Sequence, residues 1–158
     1  MASTSHRPRA SAGTVSAPPR LDNQLCFALY STMLGLNKVY RGLLKDLELT
    51  YPQYLVMMVL WERDGVNISE ICDKLFLETT TLTPLLKRLE TQGLLSRDRS
   101  KADERQVIVS LTAAGKALGV RAAGLPACVA QAMAIDDRKI GELRADLEAM
   151  RESLSRSG

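Results

Sequence analysis

Aromatic residues are scarce: one Trp, four Tyr and two Phe make up 4% of the 158 residues. The core must therefore be filled by aliphatic side chains, chiefly Leu, a composition that favours helices. Histidine is rarer still. The only one is His6, and no two cysteines form a Cys-x-x-Cys pair, so neither a metal centre nor a cofactor is expected. Three cysteines are too few, and odd in number, for a disulfide scaffold. No apolar run reaches the roughly 18 residues needed to cross a membrane, and residues 1–20 hold no apolar block of leader type. A soluble, cytoplasmic chain without membrane contact is the expectation.

Excess basic charge is also missing from the body of the chain. Arg7, Arg9 and Arg20 lie in a stretch without acids and account for the whole net charge of +3. The remaining residues hold 18 bases against 18 acids. Affinity for nucleic acid must then come from where the charges sit, not from their sum. Residues 62–78 carry five acids against two bases, and residues 87–105 carry six bases against four acids.

Residues 1–20, rich in Ser, Ala, Pro and Arg, read as a disordered basic tail. Residues 21–158 read as one domain. Leu21, Leu25, Leu29, Met33, Leu36, Tyr40, Leu43 and Leu47 recur at helical spacing and predict a first helix over about 22–47. Thr50-Tyr51-Pro52 breaks it, and a second, nearly all-apolar helix follows over 52–63. A short third helix after Asn67 turns Ile68, Ile71, Cys72 and Leu75 inward. A fourth over 79–92 turns Leu82, Leu85, Leu86 and Leu89 inward and ends at Gly93. Two extended runs, 94–99 and 105–111, flank a polar tip at 100–104. Thr112 starts a fifth helix to about residue 133, interrupted by Gly124 and Pro126. A last helix from Asp136 carries the narrow seam Ile140, Leu143, Leu147, Met150 and Leu154.

Short helix, tight turn, helix and two-stranded hairpin is the order of a winged helix-turn-helix, whose second helix enters the major groove. The fold class predicted is thus mainly α with a small β-hairpin. Thr79, Thr80, Thr81, Thr83, Lys87 and Arg88 are left for the outer faces of the fourth helix. Threonine offers a hydroxyl to phosphates or base edges and a methyl to thymine. Arg97, Arg99, Lys101 and Arg105 on the hairpin suit phosphate contact or a narrow minor groove. Singly, each of these residues is equally well explained as a cap or a solvated surface group; the ordered set carries the argument. Asp103 is read either as a weak ion-pair partner of Arg105 or as the group that aims Arg105 at DNA.

The run Thr81-Leu82-Thr83-Pro84-Leu85-Leu86-Lys87-Arg88-Leu89-Glu90, then Gly93-Leu94-Leu95, Asp103-Glu104-Arg105 and Ser110-Leu111-Thr112, resembles the MarR family of transcriptional regulators. Its Thr-Leu-Thr-Pro form is similar to the organic-hydroperoxide-sensing branch, and the resemblance covers about residues 22–150. It implies a homodimer in which residues 21–48 and 112–156 form the interlocking dimerisation helices. Residues 52–111 then form the DNA-binding part, and the two wings straddle a palindromic operator.

Of the cysteines, Cys72 falls on an inward helix face and reads as a small core residue. Cys26 lies near the start of the first helix, where the helix dipole favours the peroxide-reactive thiolate, although Asp22 one turn earlier opposes this. Tyr30 shares its face. Tyr40 lies fourteen residues on, within about 40° of the same face but roughly 21 Å along the axis. It meets Cys26 only if two first helices cross antiparallel near Met33 in a symmetric dimer, and Tyr51 is placed to join them. Alone, Cys26 reads better as an inert core thiol on an amphipathic helix. The resemblance implies more: Cys26 matches the branch's reactive cysteine, Tyr40 and Tyr51 match the tyrosines that hydrogen-bond it, and Cys128 matches the second cysteine of two-cysteine members. It implies oxidation of Cys26 by organic hydroperoxide, a disulfide to the other subunit's Cys128, and release of DNA, a shift that Gly124 and Pro126 would ease. Three other readings remain: a repressor released by a small phenolic or lipophilic ligand, a thiol peroxidase, and a non-sensing architectural protein. No Arg or Thr stands beside Cys26 in sequence to polarise a peroxide, which argues against enzymatic turnover.

Overall fold

The computed structural model describes residues 17–157; most of the expected basic tail lies outside the described residues. Its order is α1 (Leu25–Leu43), α2 (Tyr51–Glu62), β1 (Val66–Asn67), α3 (Ile68–Leu75), α4 (Thr79–Thr91), β2 (Leu95–Arg99), β3 (Val107–Leu111), α5 (Ala113–Ala122), α6 (Leu125–Met133) and α7 (Asp137–Ser155). Contacts divide the chain into two units, Met1–Leu34 and Gly35–Gly158, the division falling within α1. In the first unit a 3-10 turn at Leu21–Asn23 precedes the start of α1, and every described residue is exposed.

The second unit holds the core. Thr50 caps α2 with a capping box: its hydroxyl accepts from the Gln53 N–H, while the Gln53 side chain accepts from the Thr50 N–H at 2.8 Å. Pro52 in the first turn costs no hydrogen bond there. The apolar run thus starts in helical register and buries Val56, Met57 and Leu60. They pack with Leu44, Ile71, Leu82, Leu86, Leu89, Leu95 and Val109 in one cluster. Asn67 and Glu70 make a second reciprocal box at α3. Pro84 is the sixth residue of α4, later than a first-turn proline, and it offers no N–H to the Thr80 carbonyl. The helix continues through it because three leucines on its inner face are fully buried.

The sheet has one strand more than the expected hairpin. Its order is β1-β3-β2, all antiparallel, with Val66 opposite Val109 and Leu95 opposite Leu111. The two-residue β1 is too short to leave a period-two pattern, and its Asn67 doubles as the α3 cap. The first helix ends at Leu43 rather than near 47: a 3-10 turn (Lys45–Leu47) follows and Glu48 is left-handed, φ 54°. The interrupted fifth helix is two helices. Pro126 sits in the first turn of α6, and its ring excludes an acceptor at Ala122, where α5 stops. Among the described residues no single helix is long and apolar enough to cross a membrane.

Candidate nucleic-acid interface and thiol site

The turn between α3 and α4 is made by Phe76, left-handed at φ 55°, with the Leu77 N–H returning to the Cys72 carbonyl at 3.0 Å. Glu78 then starts α4 without a side-chain cap. Leu82, Leu86 and Leu89 face inward, so Thr79, Thr80, Thr81, Thr83, Lys87 and Arg88 are all exposed. Two of the threonines are partly committed: the Thr83 hydroxyl donates to the Thr79 carbonyl at 2.7 Å, and Thr79 Oγ1 lies 3.8 Å from Cys72 Sγ. Cys72 is otherwise buried in the core, as its inward position predicts.

The wing is β2, β3 and the tip between them. Ser100 Oγ accepts from the Ala102 and Asp103 amides at 3.2 and 3.4 Å, and the Ser100 amide donates to the Gln106 carbonyl at 2.8 Å. Of the two readings of Asp103, the ion pair with Arg105 is absent among the described residues. Its carboxylate accepts from the Arg105 backbone N–H at 3.1 Å, not from the guanidinium, and its carbonyl accepts from Gln106 at 2.9 Å. Asp103 therefore shapes the tip as an Asx turn and leaves the Arg105 side chain unpaired.

Charge pairing separates the cations of this region. Lys87, Arg88, Arg99, Lys101 and Arg105 are exposed and have no acidic partner among the described residues. Arg97 instead turns to Glu90 on α4, donating from Nη2 at 2.6 Å and from Nε at 3.1 Å. The acids upstream are neutralised locally: Glu70 by Arg63 and Glu62 by Lys74. The segment 87–105 of α4 and the wing is thus left with six bases against four acids, a net excess of two positive charges.

Sequence reasoning passed over Glu90, Tyr54 and Trp61. Glu90 entered only as an acid in a local charge total and as the last residue of a motif run, with no partner assigned to it. The signal available was its place in the last turn before the Gly93 reversal, which folds β2 back beside it.

The other two thiols sit on exposed surfaces. Cys26 is the second residue of α1, and Tyr30, one turn along, is 62% exposed. Cys128 is exposed on α6. The structure brings Tyr40 and Tyr51 together, their rings stacked at 4.1 Å between centroids. Tyr54, one turn after Tyr51, lies 6.0 Å from Tyr40 and makes an edge contact with Trp61 at 6.0 Å. Trp61 donates its indole N–H to the Gly115 carbonyl at 2.9 Å. Burial, then the neighbouring phenols Tyr51 and Tyr54, push the Tyr40 pKa up to about 12. The Tyr40 phenol therefore keeps its proton, and its capacity to donate, at any physiological pH.

Comparisons with known proteins show the family and the fold. A family described as transcriptional regulator SarA/Rot matches residues 38–119, just over half of the chain. The HTH-type transcriptional regulator TtmR of Methylorubrum extorquens (strain PA1) is 47% identical over 139 residues, covering 87% of this chain and 70% of that protein. The organic hydroperoxide resistance transcriptional regulator of Bacillus subtilis (strain 168) is 39% identical over 135 residues, covering 85% and 92%. Among solved structures, reduced AbfR of Staphylococcus epidermidis bound to DNA superposes with a TM-score of 0.72 at 33% identity, covering 85% of this chain and 93% of that one. Fold, family match and relatives together make this chain a member of the winged-helix transcriptional regulators of the MarR and SarA/Rot type.

Proposed function

We propose that the chain is a homodimeric DNA-binding repressor that releases its operator when an organic hydroperoxide oxidises Cys26. Residues 52–111 grip double-stranded DNA, α4 in the major groove and the wing along the flanking backbone. Residues 21–48 and 112–156 hold the two subunits together. The observation that carries the DNA half is the set of exposed cations on α4 and the wing without acidic partners. The redox half is supported by an exposed Cys26 at the start of a helix, by a phenol kept protonated at Tyr40, and by the 39% identical hydroperoxide-resistance regulator.

In this reading the antiparallel pairing of two α1 helices brings Cys26 to the Tyr40 and Tyr51 hydroxyls of the other subunit, with Tyr30 nearby. The phenols donate hydrogen bonds to the Cys26 sulfur and hold it in place. The thiolate attacks the outer peroxide oxygen, the O–O bond breaks, and the alkoxide leaves and takes a proton from water to become the alcohol. Cys26 is now a sulfenic acid. The thiol of Cys128 in the other subunit attacks that sulfur, water leaves, and an S–S bond forms. The dimer arms shift, the wings no longer match the half-site spacing, and DNA dissociates.

The test is a gel shift on promoter DNA with and without organic hydroperoxide. Wild type is expected to lose its complex and recover it with dithiothreitol. Cys26→Ser should bind and ignore the peroxide, and Cys128→Ser should respond without forming a disulfide-linked dimer. A Cys26→Ser variant that still lets go would overturn the redox half.

A second reading has its own support. A cavity of about 610 Å³ has Val59, Val66 and Phe76 as apolar lining and Arg63, Lys74 and Arg151 among its charged groups. Glu70 and Asp73 share that lining and Arg63 and Lys74 are already paired, so it suits a small, mainly apolar ligand, and the chain would be a ligand-released repressor in which the cysteines are incidental. Release by a phenolic acid with Cys26→Ser unimpaired would favour it.

A further inference from the structure

The cations of the wing are not equivalent, and the difference lies in one carboxylate. Glu90, in the last turn of α4, receives two bonds from the Arg97 guanidinium, at 2.6 and 3.1 Å, and a third from the Arg97 backbone N–H at 3.2 Å. The guanidinium beside it holds the Glu90 carboxyl below the usual carboxylate range. Arg97 stands opposite buried Val109 in the ladder and shares its strand face with buried Leu95. Arg99 follows on the same strand face nearer the tip, but it, Lys101 and Arg105 are exposed and without an acidic partner among the described residues, whereas Arg97 is held to α4 by Glu90. Among the described residues this is the only ion pair that joins α4 to the wing.

Three bonds from one residue to a single carboxylate fix an orientation as well as a distance, because a guanidinium fork is planar and rigid. A helix in the major groove and a wing on the flanking backbone engage one duplex only if the angle between them is right. Contact of Arg97 with phosphate would require it to leave Glu90, and would bring an uncompensated carboxylate up to the DNA. We infer that Glu90 and Arg97 are a positioning pair: they set the angle of the wing against the recognition helix, and neither touches the duplex. This rests on the DNA-binding reading above.

The test uses the reduced full chain and two labelled duplexes of equal length, one selected by wild type from a random pool and one scrambled. Removing an acid from a DNA-binding surface ordinarily tightens binding. Here Glu90→Gln is expected to weaken the selected duplex by about tenfold while leaving the scrambled one unchanged or slightly tighter. Arg97→Gln should cost about as much without changing the salt slope, and the double variant should be no worse than either single one. Arg97→Lys should recover only part, since an ammonium cannot fork. Circular dichroism at the assay temperature confirms that each variant is folded. A misfolded variant would lose both duplexes alike, and that result would also contradict a positioning role. The inference is overturned if Glu90→Gln binds the selected duplex as well as wild type, or if Arg97→Gln lowers the salt slope by about one, the mark of a lost phosphate contact. A wild-type chain that selects no duplex at all would overturn the DNA-binding reading along with it.

Discussion

The two 19-residue helices, α1 and α7, contain no buried residue, whereas every buried residue among those described lies between Leu44 and Val129. Both long helices are amphipathic. α1 leaves Leu25 59% exposed and α7 leaves Leu154 65% exposed, while α4, with a similar leucine spacing, has three leucines at 0%. One region completes its core within a single chain. The other carries large apolar side chains that are left exposed, the pattern that the proposed dimerisation role requires. The comparison also separates two kinds of charge: ion pairs within α7 are local (Arg138 and Arg144 with acids four residues on), whereas Glu90 and Arg97 tie two elements together.

Substitutions in the two regions should therefore behave oppositely. The largest loss is expected in the core: Leu86→Ala should cost about 2–5 kcal/mol in urea unfolding. Gly115→Ala comes next. An added Cβ there would lie 2.0 Å from the Leu94 carbonyl oxygen, so α5 must move off the wing root, at about 3 kcal/mol. Leu147→Glu on α7, where the side chain is 43% exposed, should leave core packing intact and convert a dimer to monomers in sedimentation. A Leu147→Glu variant that sediments as wild type would break the comparison.

A smaller effect follows from Asp64. Desolvation pushes its carboxyl up, but hydrogen bonds from the Leu111 N–H, Lys116 and the Gly65 N–H outweigh this and hold it below its ordinary 3.8. A depressed folded pKa means stability that is present above the ordinary value and lost as pH falls through the folded one. Wild type should thus be more stable than Asp64→Asn at neutral pH, and the gap should close in acid. The smallest effect is of opposite sign: Gly141→Ala in α7 meets nothing within 4 Å and should add about 0.5–1 kcal/mol of helix stability.

Much of the fold was legible because its signals are local. Leucine spacing, the Thr112 cap, which accepts from the Gly115 N–H at 3.1 Å, and the Gly93 stop each act within a few residues. What escaped is pairwise. β1 exists only because Val66 meets Val109, and Trp61 is fixed by a carbonyl 54 positions away. The residue types at Asp103 and Glu90 were plain, but their partners depend on how the wing folds back, which no periodicity encodes. The Tyr40 and Tyr51 pair was named from the sequence, whereas Tyr54, the third member, was missed because it sits on a helix read as featureless apolar filling.

The most direct trial of the account is the fluorescence anisotropy of a labelled operator duplex while organic hydroperoxide is added stepwise to the reduced chain. Release complete at about one equivalent per subunit, reversed by dithiothreitol and absent in Cys26→Ser, is the predicted result. Release that proceeds identically in Cys26→Ser, or wild type that holds its duplex at excess peroxide, would contradict it.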